Sequence, residues 1–524
     1  MVTRQGKGGA MRKGNGRRRC APWGATAVLA AVAMVAGPAL TAGAAARAAT
    51  SGAPPEVRGQ ADAWPLPDHD YGNSRDAGRS PIRASTVSTL TAAWSVPLSV
   101  GASTSPIVVG GVAYVQDQGG TVYAIDVASG QVRWKTKPLG FSIGPWGVSV
   151  GWGRLYASTS TGVAAFDLSD GAPLWSRKIT STSGQGVDMQ TLPYGGRVYI
   201  ASVPVNLGNY YKGGSVGYLE ALDAATGKVD WSFDTVRSKN LWGNPAVNSG
   251  GGAWYPPAID VRRNILYWGT ANPAPFVGTT AYPNGSSRPG ANLYTDSMVA
   301  LSASTGKLLW YHQAFPHDLY DRDEVQAMLV PVRRAVDGSS EVAISSGKGG
   351  VVLGLNPRTG RLLWQTAVGI HRDGDLPKLT GPTTVIPGTF GGVLTPPASA
   401  NGVVYAATLN APSTLTPDHT FYFGGKVGTM DGDVVALSAR TGRIAWDTKV
   451  PGDPTGGVTV VNDLVLTATY QGSVVALNRN TGAIVWKAQE GSVINGWMSV
   501  AGSEVYVPVG SPPKLVALRL PAAG

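Results

Sequence analysis

Apolar and polar residues alternate with a period of two in short runs along most of the chain, and seven of these runs end in the same punctuation. The copies are VYAIDVASGQVRW ending at Trp134, VAAFDLSDGAPLW at Trp175, LEALDAATGKVDW at Trp231, MVALSASTGKLLW at Trp310, LGLNPRTGRLLW at Trp364, VVALSARTGRIAW at Trp446 and VVALNRNTGAIVW at Trp486. A period of two puts successive side chains on opposite faces, which predicts strands. In each copy a short polar residue (Asp126, Asp167, Asp223, Ser302, Asn356, Ser438 or Asn478) stands four positions before a glycine, and the Trp stands four positions after it. A short Asp or Asn side chain bonds backbone ahead of it, and the glycine accepts positive φ. The segment therefore predicts a hairpin whose second strand buries a large ring at a fixed place.

An eighth Trp, Trp94 in LTAAWSVPL, precedes the first complete copy by 40 residues and has no turn segment of its own. Past Trp486, the stretches VINGWMSVAGSEVYVPVG and KLVALRL read as strands but lack a terminal Trp strand. The Trp94 strand can supply it. A ring closed in this way leaves no open sheet edge, which predicts an all-β, eight-bladed propeller over residues 64–520 with its last blade shared by the two chain ends. Successive Trp residues are 40, 41, 56, 79, 54, 82 and 40 apart. The short intervals set a four-stranded blade, and the excess in the long ones predicts loops on the faces, where sites are built.

Composition adds little to this picture, but the N-terminus changes the reading of charge. Residues 1–48 carry Arg4, Lys7, Arg12, Lys13, Arg17, Arg18, Arg19 and Arg47 with no acid, and an apolar run from Ala25 to Ala36 precedes the Ala46-Arg47-Ala48 segment. This order predicts a secretory signal over 1–48, read by either the general or the twin-arginine route, and so a secreted or cell-envelope protein. The run is too short to span a bilayer, so no transmembrane helix is expected in the mature chain. Removing those eight bases from a formal +11 leaves +3, which gives no reason to expect a nucleic-acid partner. The only cysteine, Cys20, lies in the same segment, so the mature chain has no disulfide and no Cys-x-x-Cys-His for haem. A flexible arm over 49–63 and a tail over 521–524 complete the expected organisation.

The repeats resemble those of pyrroloquinoline quinone (PQQ) propellers, and longer stretches narrow the likeness to the quinoprotein alcohol dehydrogenase family of methanol and polyvinyl alcohol dehydrogenase type. These stretches are WPLPDHDYGNSRDAGRSPIRASTVSTLTAAW at 64–94, ILYWGTANPAPF, and ANLYTDSMVALSASTGKLLWYHQAFPHDLYDRD. The resemblance implies that Asn272 in ANPAP is a metal ligand and that Asp321 in HDLYD is the catalytic base and a metal neighbour. By the same likeness, Asp323 is the additional metal-binding Asp of lanthanide-using members. Trp254 matches the platform under the quinone ring, and Lys348 in SSGKGG matches the basic residue at the quinone oxygens. It further implies PQQ with calcium or a lanthanide as cofactors, a small alcohol or polyol as substrate, and a separate electron acceptor. These residue types suit a flat, polycarboxylated quinone: an aromatic plane, a cationic donor, and oxygen ligands for a hard cation.

The chain departs from the family where a metal-binding glutamate is expected, before the third repeat. The stretch reads SVPVNLGNYYKGGSVGYLEALD, with no acid from Val203 to Leu219 and Lys212 near the expected place. Tyr320 also replaces a Trp of the family motif, and the vicinal cysteine pair is absent. Two readings stay open. In one, Asp323 compensates and the protein is a quinoprotein dehydrogenase. In the other, the propeller is a non-catalytic scaffold that binds protein or cell-envelope partners through its loops.

Overall fold

The computed structural model describes residues 52–58, 62–142, 144–205, 213–418 and 427–522. Eight antiparallel sheets follow in chain order, giving an eight-bladed β-propeller. Blade 1 consists of Ile107–Val109, Val112–Gln116, Val122–Asp126 and Val132–Lys135. Its first strand is fully buried and its last mostly exposed. Blades 2 to 7 repeat that order and end on the outer strands Pro173–Lys178, Val229–Asp234, Leu308–Gln313, Leu362–Ala367, Ile444–Val450 and Ile484–Gln489. In blade 8 the strands Ser499–Ala501, Glu504–Gly510 and Pro513–Arg519 are completed by Thr91–Pro97, paired antiparallel from Thr91 opposite Arg519 to Pro97 opposite Lys514. The ring therefore closes between the two chain ends. Among the described residues no helix is long and apolar enough to cross a membrane.

The repeat turn explains how blades dock. The indole N–H of Trp94, Trp231, Trp310, Trp364 and Trp446 donates to the carbonyl just past the turn Asp, Ser or Asn of the next blade: Val127, Ala303, Pro357, Ala439 and Arg479, at 2.8–3.1 Å. The ring lies flat on the turn glycine. Gly306 has φ +68, and a Cβ there would stand 2.5 Å from Cε3 of Trp231. Glycine is thus required twice, for the backbone and for the space. The apolar clusters lie between the faces of adjacent blades, so the core is a ring of inter-blade layers.

One segment ties the ring together from inside. Trp64 pairs with Val108 of blade 1, the Tyr71 hydroxyl donates to Pro193 O of blade 3 at 2.9 Å, and the Tyr71 carbonyl accepts from Ile259 N of blade 4 at 2.5 Å. Gly72 O accepts from Leu329 N of blade 5, Ser74 O from Ser399 N of blade 6, and Arg75 O from Val460 N of blade 7. Arg75 is fully buried, with Nη2 on Met498 O beside blade 8 and an ion pair to Asp68 at 2.7 Å. Blade 2 is reached from the stretch expected to be a flexible arm. Pro55–Val57 form a 3-10 turn, and Glu56 accepts from Trp152 N at 2.9 Å and Gly153 N at 2.6 Å. Two backbone N–H groups in a tight hairpin offer a carboxylate a bidentate seat, which the strand pattern does not reveal.

Candidate active site

Because every blade begins with an inner strand, the residue three or four positions ahead of that strand arrives at an equivalent place on one face. Ser103, Pro145, Asp188, Trp254, Asp323, Leu394, Thr455 and Asn495 hold those places in blades 1 to 8, and all eight line one cavity of about 990 Å³. The ring thus converts a linear offset into a circle of side chains. Trp254, Asn272, Asp321, Asp323 and Lys348 all line this cavity, although 94 residues separate the first from the last.

Local folding fixes each of them. The insert between blades 3 and 4 brings Ser249–Gly251 alongside Val216–Gly217 on one side and Pro273–Ala274 on the other. Gly251 N then donates to Asn272 O at 3.0 Å, which pins the ANPAP segment. Asn272 N donates to Asp323 Oδ1 at 2.8 Å, and its side-chain Nδ2 donates to Pro273 O at 3.1 Å, which orients the amide with Oδ1 as its remaining polar atom. The DLYD turn is locked by Asp318, whose carboxylate accepts from Tyr320 N at 2.7 Å and Arg322 N at 2.8 Å. Arg322 itself lies over Tyr320 at 4.9 Å and over Phe315 at 5.9 Å, and donates to Gly374 O at 2.6 Å. This clamp holds Asp321 and Asp323 at φ +62 and +39, left-handed backbone that costs about 1–3 kcal/mol per residue and persists only where the surroundings impose it.

Lys348 bridges the two acids, with Nζ 2.7 Å from Asp321 Oδ2 and 2.5 Å from Asp323 Oδ2, and stands 5.2 Å from the Trp254 ring centroid. Burial pushes the Asp321 carboxyl well above the usual carboxylate range, Lys348 pulls it back, and Asp323 pushes it up again. Burial alone would lower Lys348, but the two acids outweigh it and hold the ammonium charged.

Behind Trp254 the stack continues through Tyr255, at 5.1 Å, to Trp497, at 5.2 Å and 27°. The Tyr255 hydroxyl donates to Leu394 O at 2.6 Å. Asp188, Tyr255 and Trp497 escaped the sequence reading. The signal that could have found Asp188 is its offset from the blade 3 inner strand, the same kind that places Trp254 and Asp323. Lys212 lies outside the described residues.

A family model described as the glucose/ethanol/alcohol dehydrogenase β-propeller domain matches residues 191–387, which include all five of the residues singled out from sequence. A model of the outer membrane protein assembly factor BamB matches 82–203 and 430–518, the blades on either side. The chain is 27% identical over 413 residues to the quinohemoprotein alcohol dehydrogenase of Comamonas testosteroni, covering 69% of this chain and 56% of that one. It is likewise 27% identical to the putative dehydrogenase XoxF of Paracoccus denitrificans, over 58% of this chain and 55% of that one. The chain thus spans about half the length of the curated relatives it matches. The crystal structure of the Comamonas testosteroni enzyme superposes with a TM-score of 0.76 at 22% identity, covering 89% of this chain and 83% of that one. A europium-containing methanol dehydrogenase superposes at 0.72 and 21% identity, covering 86% and 90%.

Proposed function

We propose that this chain, a member of the PQQ-dependent alcohol dehydrogenase-like eight-bladed propeller family, is an exported quinoprotein dehydrogenase that oxidises an alcohol or polyol. The observation that carries the reading is the convergence of Trp254, Asn272, Asp321, Asp323 and Lys348 on one cavity.

The residues present fit the group. Trp254 offers the aromatic plane and Lys348 a cationic donor, and Asn272, Asp321 and Asp323 would be the oxygen ligands of calcium or a lanthanide; among the described residues no three His, Cys, Asp or Glu side chains gather as a metal site. PQQ, when bound, supplies the two-electron acceptor for hydride, with the metal as Lewis acid on its carbonyl. Asp321 takes the alcohol proton as hydride leaves the carbon. Lys348 donates to its Oδ2 and so orients the carboxylate. Electrons then pass to a separate acceptor.

Reconstitution of the purified protein with PQQ plus calcium or a lanthanide tests this reading. Quinone absorbance should accompany the protein, and alcohol oxidation should fall by about 10²–10⁴ in Asp321→Asn while the absorbance stays. No bound quinone in the wild type would overturn the proposal. The scaffold reading was raised by the lack of an acid from Val203 to Leu219, and the BamB match that favours it covers blades away from the five residues.

A further inference from the structure

The small net charge past residue 48 hides a division on the face of the ring opposite the cavity. The cavity residues stand ahead of the inner strands, so the two hairpins of each blade turn at the other end. The second hairpin opens on Asp126, Asp167 and Asp223 in blades 1 to 3, but on Ser302, Asn356, Ser438 and Asn478 in blades 4 to 7. The turn does not demand the acid: Asp126 Oδ1 accepts Ser129 N at 2.9 Å, and Asn356 Oδ1 accepts Arg358 N at 2.8 Å in the same role. Charge at this place is therefore not set by the fold.

Blades 4 to 6 depart from the others in one direction. Their first hairpins carry Arg262, Arg263, Arg333 and Arg334, and their second hairpins carry Lys307, Arg358, Arg361, Arg440 and Arg443. The hairpin turns of blades 1 to 3 hold one base, Lys228. Beside the nine bases stand three acids, Asp260, Asp337 and Glu341, whose side chains are only 2%, 9% and 9% exposed. Arg262 and Arg361 pair with two of them, yet remain 66% and 63% exposed. Apart from these two and Arg263, the bases are exposed and form no ion pair with a described residue. Two apolar side chains protrude with them, Val261 at 48% and Val336 at 56% exposure, each in a first hairpin beside its arginines.

We infer that this half of the face docks on an anionic phospholipid surface, with the basic hairpins on the headgroup phosphates and Val261 and Val336 entering the headgroup layer. Exposed bases gain from the surface potential of such a layer, and a protruding valine gains by leaving water there, which a dissolved polyanion does not offer. The half that carries Asp126, Asp167 and Asp223 is repelled by the same charge, which confines contact to blades 4 to 6. The cavity then opens away from the lipid.

Residues 1–48 are basic and apolar and would bind lipid by themselves, so the chain from residue 49 is used, within which the ring is closed. It is sedimented with vesicles of phosphatidylcholine, alone or with about one-third phosphatidylglycerol. The protein should sediment with the anionic vesicles only, and be released as salt rises towards about 0.5 M. Each base at such a surface is worth about fivefold, so Arg333→Gln, Arg334→Gln, Arg440→Gln and Arg443→Gln together should weaken binding about hundredfold or more. Val336→Asp, which removes no base, should weaken it about fivefold or more. Equal sedimentation with both vesicles, or no loss in the fourfold variant, overturns the inference. Binding of soluble polyphosphate without sedimentation on anionic vesicles overturns the lipid in favour of a dissolved polyanion. Where the fourfold variant fails to fold, Arg333→Gln with Arg334→Gln is read instead, with a loss of about twentyfold expected. Alcohol oxidation plays no part in the measurement, so its outcome is independent of the dehydrogenase reading.

Discussion

Arg75→Met removes the fully buried guanidinium at the centre of the ring while keeping most of its bulk. Its guanidinium bonds Asp68 at 2.7 Å, Val458 O at 2.7 Å, Met498 O at 2.8 Å, Ser105 Oγ at 2.9 Å and Thr459 Oγ1 at 3.1 Å, and of these Met498 O keeps a bond from Thr459 Oγ1. Breaking a buried ion pair from one side costs about 3–5 kcal/mol, and each orphaned buried acceptor about 1–3 kcal/mol. These contributions share one site and do not add fully, so a loss of about 5 kcal/mol is expected. Against a total stability of roughly 5–15 kcal/mol that is severe. Burial already raises the Asp68 carboxyl in the wild type, and Arg75 holds it down. Without Arg75 its folded pKa rises further. A group raised in the folded state contributes stability below its unfolded pKa and loses it as pH rises. The variant should therefore be weakened more at pH 8 than at pH 5. Urea unfolding followed by tryptophan fluorescence at the two pH values reads both effects, and adding Asp68→Asn should restore part of the loss. A loss below about 1 kcal/mol, or no difference between the two pH values, would refute the view that Arg75 is a charged tie between blades.

Two further outcomes follow from the same structure. Gly306→Ala, which forces a Cβ against the Trp231 ring at φ +68, should destabilise by about 1–3 kcal/mol, while Gly338→Ala, at φ +87 with open space around it, costs only the backbone part; thermal melts of the pair separate packing from conformation. Glu324 is buried with its carboxyl raised to about 8, so its stabilising contribution should fade as pH rises from about 4.5 through 8, and Glu324→Gln should flatten that slope in urea titrations across the range.

How much the sequence alone determined can be read from particular residues. The alternating runs, the turn glycines and the fixed Trp offset carried the propeller, because each blade is a local unit whose hairpin chemistry is complete within about 40 residues. Closure was legible too, since Trp94 lacks a turn and the strands after Trp486 lack a Trp. The five candidate site residues were proposed from family motifs. That they line one cavity was decided by the ring, which turns the equal offsets of Trp254 and Asp323 in separate blades into neighbouring places. Asp188 went unnoticed for that reason: in the chain it is one acid in QGVDMQ, and only the packing of blade 3 beside Ser142 places it in the wall. Arg75 is a further case, a basic residue in a polar stretch whose burial no local pattern announces. Seven blades lend it or its neighbours a backbone group, and those partners are scattered from Val108 to Met498. Long-range hydrogen bonds of this kind leave no periodic trace in a sequence, so the tertiary structure alone could assign them.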